Sequence, residues 1–83
     1  MPRFMDHHPM PKLPPEAMQQ MKAAIEACQA DPNGVTPLNT FAGTDGSAFC
    51  YTQAASADAV IKSHAAMGVT LERSQITEVT SLV

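Results

Sequence analysis

Apolar positions along this chain switch between a spacing of two and a spacing of three to four, and the switches fall at proline, glycine or aspartate. Arg3 to His8 reads as a short first strand. It runs into Pro9-Met10-Pro11-Lys12-Leu13-Pro14-Pro15, which must be loop because proline supplies no backbone N–H. Pro15 suits a first helical turn. From Glu16 to Ala30, the residues Ala17, Met18, Met21, Ala24, Ile25 and Cys28 recur at helical spacing, with Glu16 placed well for the helix dipole. Asp31-Pro32-Asn33-Gly34 ends that helix in a turn.

Val35 to Ala42 reads as a second strand, and Pro37 within it points to a sheet edge. Thr44-Asp45-Gly46-Ser47 holds an Asp-Gly hairpin signal. Ala48 to Gln53, rich in Phe, Tyr and Thr, is the third strand. Ser56 is an N-cap for a second helix that carries Asp58 in its first turn, runs to Met67 and stops at Gly68. Its apolar stripe is Ala57, Val60, Ile61, His64 and Ala65. Gln75 to Leu82 is the last strand.

The order β-α-β-β-α-β predicts an α+β fold of ferredoxin-like topology: a two-layer sandwich with an antiparallel sheet, one domain over residues 1–83. A chain of 83 residues buries only about 60–65% of its unfolded surface, so two layers are what it can build. One sheet face is then left without helices, and a homodimer is the expected remedy.

The formal net charge is -3, and the basic residues Arg3, Lys12, Lys22, Lys62 and Arg73 are scattered. That excludes the clustered basic face that nucleic-acid binding requires. No apolar run approaches the ~20 residues of a membrane-spanning helix, and the N-terminal residues have no apolar signal-peptide core. A cytoplasmic protein is expected, with Cys28 and Cys50 as reduced thiols. The 21 residues between them match no zinc-ribbon spacing. Cys28 lies on the first helix stripe and reads as core packing, and the six methionines read as core filler.

The topology makes a prediction about chemistry. The first and third strands are antiparallel central neighbours, so the end of the first, His7-His8, meets the beginning of the third, near Cys50. The second helix returns its C-terminal end, with His64 on the sheet-facing stripe, to the same edge. One strand His, one strand Cys and one helix His then converge. Imidazole and thiolate suit Zn, Ni, Cu or Fe. Asp6 shares a strand face with His8 and serves as a fourth ligand or as a carboxylate orienting a His. His7 and His8 point to opposite faces, so only one of them joins the site. Against this stand the ordinary readings: a strand Cys as a small buried hydrophobe and a helix His as a hydrogen-bonded core residue.

The chain resembles, over nearly its whole length, a family of small bacterial proteins long described only as a domain of unknown function. The best-known type of that family is a nickel-binding, nickel-responsive protein. The resemblance rests on Met1-Pro2-Arg3-Phe4-Met5-Asp6-His7-His8, on Phe49-Cys50-Tyr51 leading into Ala54-Ala55-Ser56-Ala57-Asp58-Ala59-Val60, and on His64-Ala65-Ala66-Met67-Gly68 before Ile76-Thr77-Glu78-Val79. It implies a ferredoxin-like fold, often dimeric with the two sheets face to face as an α+β barrel. It also implies a metal ion, nickel or another divalent transition metal, at Asp6, His8, Cys50 and His64. Two positions depart from the family pattern: Gln53 stands where an acidic residue is common, and Ala55 where proline is common.

Three functions are compatible with these residues. The first is a metal-binding protein. The second is a dimeric α+β barrel enzyme or small-ligand binder, with His8 or His64 as base or Cys50 as nucleophile. The third is an interaction module without chemistry. No Ser-His-Asp set, phosphate-binding loop or dinucleotide fingerprint supports the second.

Overall fold

The structure, a computed structural model, describes residues 1–82. Its elements are β1 (Arg3–Pro9), α1 (Pro15–Ala27), β2 (Thr36–Ala42), β3 (Ser47–Gln53), α2 (Ala57–Ala66), a single 3-10 turn (Arg73–Gln75) and β4 (Ile76–Val79). The sheet order is β2-β3-β1-β4 with every neighbouring pair antiparallel, the ferredoxin-like β-α-β-β-α-β arrangement. β2 is an edge strand, as Pro37 requires, and the register slips by one residue between Pro37 and Asn39. Among the described residues no helix is long and apolar enough to cross a membrane.

Turn chemistry holds these elements where the sequence places them. Asp45 accepts from the backbone N–H and the hydroxyl of Ser47 across the β2–β3 hairpin, and Gly46 takes φ +86° there. Those two bonds to Ser47 hold the Asp45 carboxyl below its ordinary value. Ser56 caps α2 by accepting from the Ala59 N–H at 3.2 Å. Gly68 follows α2 at φ +81°.

Two elements, α1 and β4, end three residues earlier than the sequence reading places them. Helix α1 ends at Ala27 rather than Ala30, because Cys28 turns into the left-handed region at φ 50° and ψ 43°. Cys28 and Gln29 then donate to the Ile25 and Ala24 carbonyls, a Schellman closure with cysteine where glycine is usual. Leaving the helical backbone takes Cys28 off the stripe: it is exposed, not packed in the core. Asp31, freed from the helix, accepts from the N–H groups of Asn33 and Val35 and from the Ser63 hydroxyl, tying the turn to α2. β4 covers only Ile76–Val79, because Val79 already faces Arg3, the first residue of β1, and Pro2 before it has no N–H to offer.

The core is lopsided. Phe4, Val35, Ala54, Ala57, Val60 and Leu71 form it, with Ala59 and Ile76 packed alongside. Helix α2 buries Ala57, Val60, Ser63 and His64; of its expected stripe, Ile61 is half-buried and Ala65 exposed. Helix α1 buries no residue at all: Ala17, Met21, Ala24 and Ile25 are half-buried, and Met18 is 49% exposed.

This asymmetry predicts unequal mutational costs. Phe4→Ala should destabilise by about 3 kcal/mol or more and Met18→Ala by less than about 1 kcal/mol, as read from urea unfolding midpoints. A thiol reagent should modify Cys28 well before Cys50 in the native protein; equal or reversed rates would contradict the placement of Cys28 outside the core.

Candidate metal centre

Residue alternation sends Phe4, Asp6 and His8 to the helix-covered face of β1, and Met5 and His7 to the other. His7 stacks on Phe49 on that uncovered face with ring centroids 4.6 Å apart, so His8 is the histidine that joins Asp6. Register brings the rest. Asp6 lies opposite Cys50 on β3, and Cys50 lies opposite Thr40 on β2. From above, α2 lowers His64 onto the same spot. The ligand atoms of Asp6, His8, Cys50 and His64 all lie within 4.8 Å of one another.

Asp6 is the centre of the group and has no exposed surface. Its Oδ1 is 3.2 Å from His64 Nε2 and 3.5 Å from His8 Nε2. The Cys50 thiol is 3.8 Å from His8 Nε2 and 3.7 Å from Thr40 Oγ1. The two imidazoles meet edge to face with centroids 5.3 Å apart.

Both rings are fixed from behind. His8 Nδ1 lies 2.8 Å from the Pro9 carbonyl and His64 Nδ1 lies 2.9 Å from the Val60 carbonyl. A carbonyl accepts only, so each Nδ1 carries a proton and donates it. In the neutral form that leaves Nε2, the atom aimed at Asp6, with a free lone pair. This is the outer-shell arrangement that orients metal-ligating histidines.

Without a cation the arrangement is poorly satisfied. Neither Asp6 oxygen nor His64 Nε2 has a well-aligned hydrogen bond, although all three are buried. A carboxylate facing two imidazole lone pairs requires a positive charge between them. A proton on His64 is one solution. Burial alone would lower the His64 pKa, but the Asp6 carboxylate and the Cys50 thiol beside it outweigh that and raise it from 6.5 to about 10. A divalent metal ion is the other, and the donor set of two imidazoles, one thiol and one carboxylate fits it.

Two features of this pocket lie beyond the sequence reading. Thr40, which faces the thiol, is identifiable only once the β2–β3 register is known, and the backbone carbonyls of Pro9 and Val60 carry no side-chain signal. Gln53 faces Arg3 on the sheet face away from the cluster, so the absence of a carboxylate there takes nothing from the four. Ala55 is exposed in the β3–α2 link.

The raised His64 pKa has a sign. In the metal-free protein the fold binds this proton more tightly than the unfolded chain does. Its stabilisation is therefore complete below about pH 6.5 and is lost as pH rises through about 10. Urea unfolding of metal-free protein should show wild type losing more stability than His64→Gln between pH 6 and pH 10; parallel losses would contradict the assignment.

A search of curated proteins and a search of solved structures each gave no significant match. The sequence profile of the nickel responsive protein SCO4226-like family matches residues 4–79, which include all four clustered side chains. The chain belongs to the nickel-responsive, SCO4226-like family.

Proposed function

We infer that the protein is a small metal-binding protein that takes up nickel, or a similar divalent transition metal, at Asp6, His8, Cys50 and His64. The observation that carries this reading is the pair of imidazoles held through Nδ1 with both Nε2 atoms turned on one buried carboxylate, beside a thiol. The family name adds responsiveness to nickel.

In this reading His8 and His64 supply Nε2, Cys50 its thiolate and Asp6 a carboxylate oxygen. The Pro9 and Val60 carbonyls orient the two rings, and the Thr40 hydroxyl positions the thiol. Uptake displaces the His64 proton and the thiol proton, so affinity rises with pH. A mixed N/S/O site follows the general order in which nickel outcompetes cobalt and copper outcompetes nickel, so selectivity for nickel rests on availability as much as on these ligands. No nucleic-acid partner is proposed. The working assembly is a homodimer in the cytoplasm. Met5, Phe49, Tyr51 and Val79 are half-buried and Phe41 is 50% exposed on the helix-free sheet face, an apolar surface suited to a second copy.

Isothermal titration of nickel into the metal-free protein should give one site per chain whose affinity increases from pH 6 to pH 8. Cys50→Ala and His64→Ala should abolish that site, and Thr40→Val should weaken it by about 10-fold. Equal binding by wild type and both ligand variants would remove the cluster from consideration. Light scattering behind size exclusion should give a dimer at micromolar concentration, and Phe41→Glu should give a monomer; a monomeric wild type would contradict the assembly.

A further inference from the structure

The metal reading uses side chains on the floor of a larger space. Between α1 and the sheet lies a cavity of about 610 Å³, walled by Ala17, Met21, Ala24, Ile25, Val35 and Met67, with Cys50, Thr52 and His64 also lining it. An adjacent space of about 250 Å³ shares Met21, Cys50, His64 and Met67 with it. Sites for small molecules run from roughly 300 to 1,000 Å³ and are mainly apolar with a few polar groups.

Two observations separate this cavity from ordinary packing slack. Helix α1 presents its apolar stripe along the cavity yet buries none of its 13 residues, whereas α2 packs tightly on the same sheet. Protein interiors seldom keep so large a space, and this one, partly open to solvent beneath α1, is wide enough to admit a ligand. Thr52, 6% exposed, lines the cavity, and its Oγ1 is buried without a hydrogen-bond partner. A buried hydroxyl without a partner is unfavourable, and a change of about 120° in χ1 carries it to another staggered position of a side chain that lines the cavity.

We propose that this cavity binds a small, mostly apolar, uncharged organic molecule carrying one hydroxyl-type group, which pairs with the Thr52 hydroxyl while the apolar body lies under α1. The lining favours a neutral ligand: no Lys, Arg or Glu faces the cavity, Asp31 is engaged by Ser63, and the His64 charge is matched by the Asp6 carboxylate beside it. The methionine walls adapt to varied shapes, so the site is defined by its polar anchor more than by its outline. This inference stands apart from the metal reading, because none of the apolar wall and neither atom of the proposed hydrogen bond belongs to the four metal ligands.

The test uses chelator-treated full chain and two probes, 4-butylphenol and butylbenzene, followed through the methionine methyl signals. 4-Butylphenol should shift Met21 and Met67 saturably and leave Met5, on the opposite sheet face, unmoved. Thr52→Val should weaken 4-butylphenol by about fivefold, the loss of one hydrogen bond, and leave butylbenzene unchanged. Ala24→Trp, which fills the cavity, should abolish both. Shifts that do not saturate, shifts as large at Met5, or equal loss of both probes in Thr52→Val would each overturn the proposal. Nickel titration of the same samples reports the metal site independently: a protein that binds nickel but neither probe overturns this inference alone.

Discussion

A carboxylate with no exposed surface sits at the centre of this protein, and the polar half of the interior is organised around neutralising it. Asp6 has two imidazoles at 3.2 and 3.5 Å and, among the described residues, no ion pair with a Lys or Arg. A buried charge left alone is among the most unfavourable features a small fold can contain. An 83-residue chain with a thin core has little stability to spare for it. The same demand for positive charge explains a proton held on His64 in the metal-free protein. Under the proposed function a divalent cation meets that demand instead, so proton and metal compete for one position.

The division of the molecule follows from that constraint. Phe4, Val60, Leu71 and their neighbours pack densely at one end of the sheet. The other end, where β1 finishes and α2 delivers its last turn, holds the charged cluster and an apolar cavity instead of packing. Helix α2 is anchored through Ser56 at its start and through Ser63 to Asp31 near its end, which fixes His64 over Asp6. Helix α1 begins after Pro14 without a side-chain cap. The half-buried Cys50 lines the cavity, so the otherwise closed group opens on that side.

Much of this was legible in the residues. Proline at 37 marked the edge strand, Asp45-Gly46 the hairpin, Ser56 and Gly68 the limits of α2; each is a local backbone requirement that no distant contact overrides. Strand alternation put His7 and His8 on opposite faces without deciding between them, and the topology brought a strand His, Cys50 and His64 to one edge; the structure places His8 there beside Asp6. What the sequence misled on was α1. Its periodic apolar stripe promised a packed helix with Cys28 in the core, but periodicity reports a face and not what covers it. After the early left-handed turn at Cys28, Asp31 bonds to Ser63 on α2, a contact that no local pattern reveals. Thr40 escaped notice for a similar reason: its place beside the thiol depends on a one-residue slip in β2 that Pro37 foreshadows but does not position.

The central claim is that one metal ion is held by two imidazole nitrogens, a thiolate and the Asp6 carboxylate. X-ray absorption fine structure of protein loaded with one equivalent of zinc, used as a spectroscopically simple divalent ion, tests it most directly. The account predicts one sulfur at about 2.3 Å and nitrogen or oxygen neighbours at about 2.0–2.2 Å with imidazole scattering beyond them. Loss of the sulfur shell in Cys50→Ala should accompany retention of the imidazole signal. A shell of oxygen alone, or a sulfur shell that survives Cys50→Ala, would contradict it.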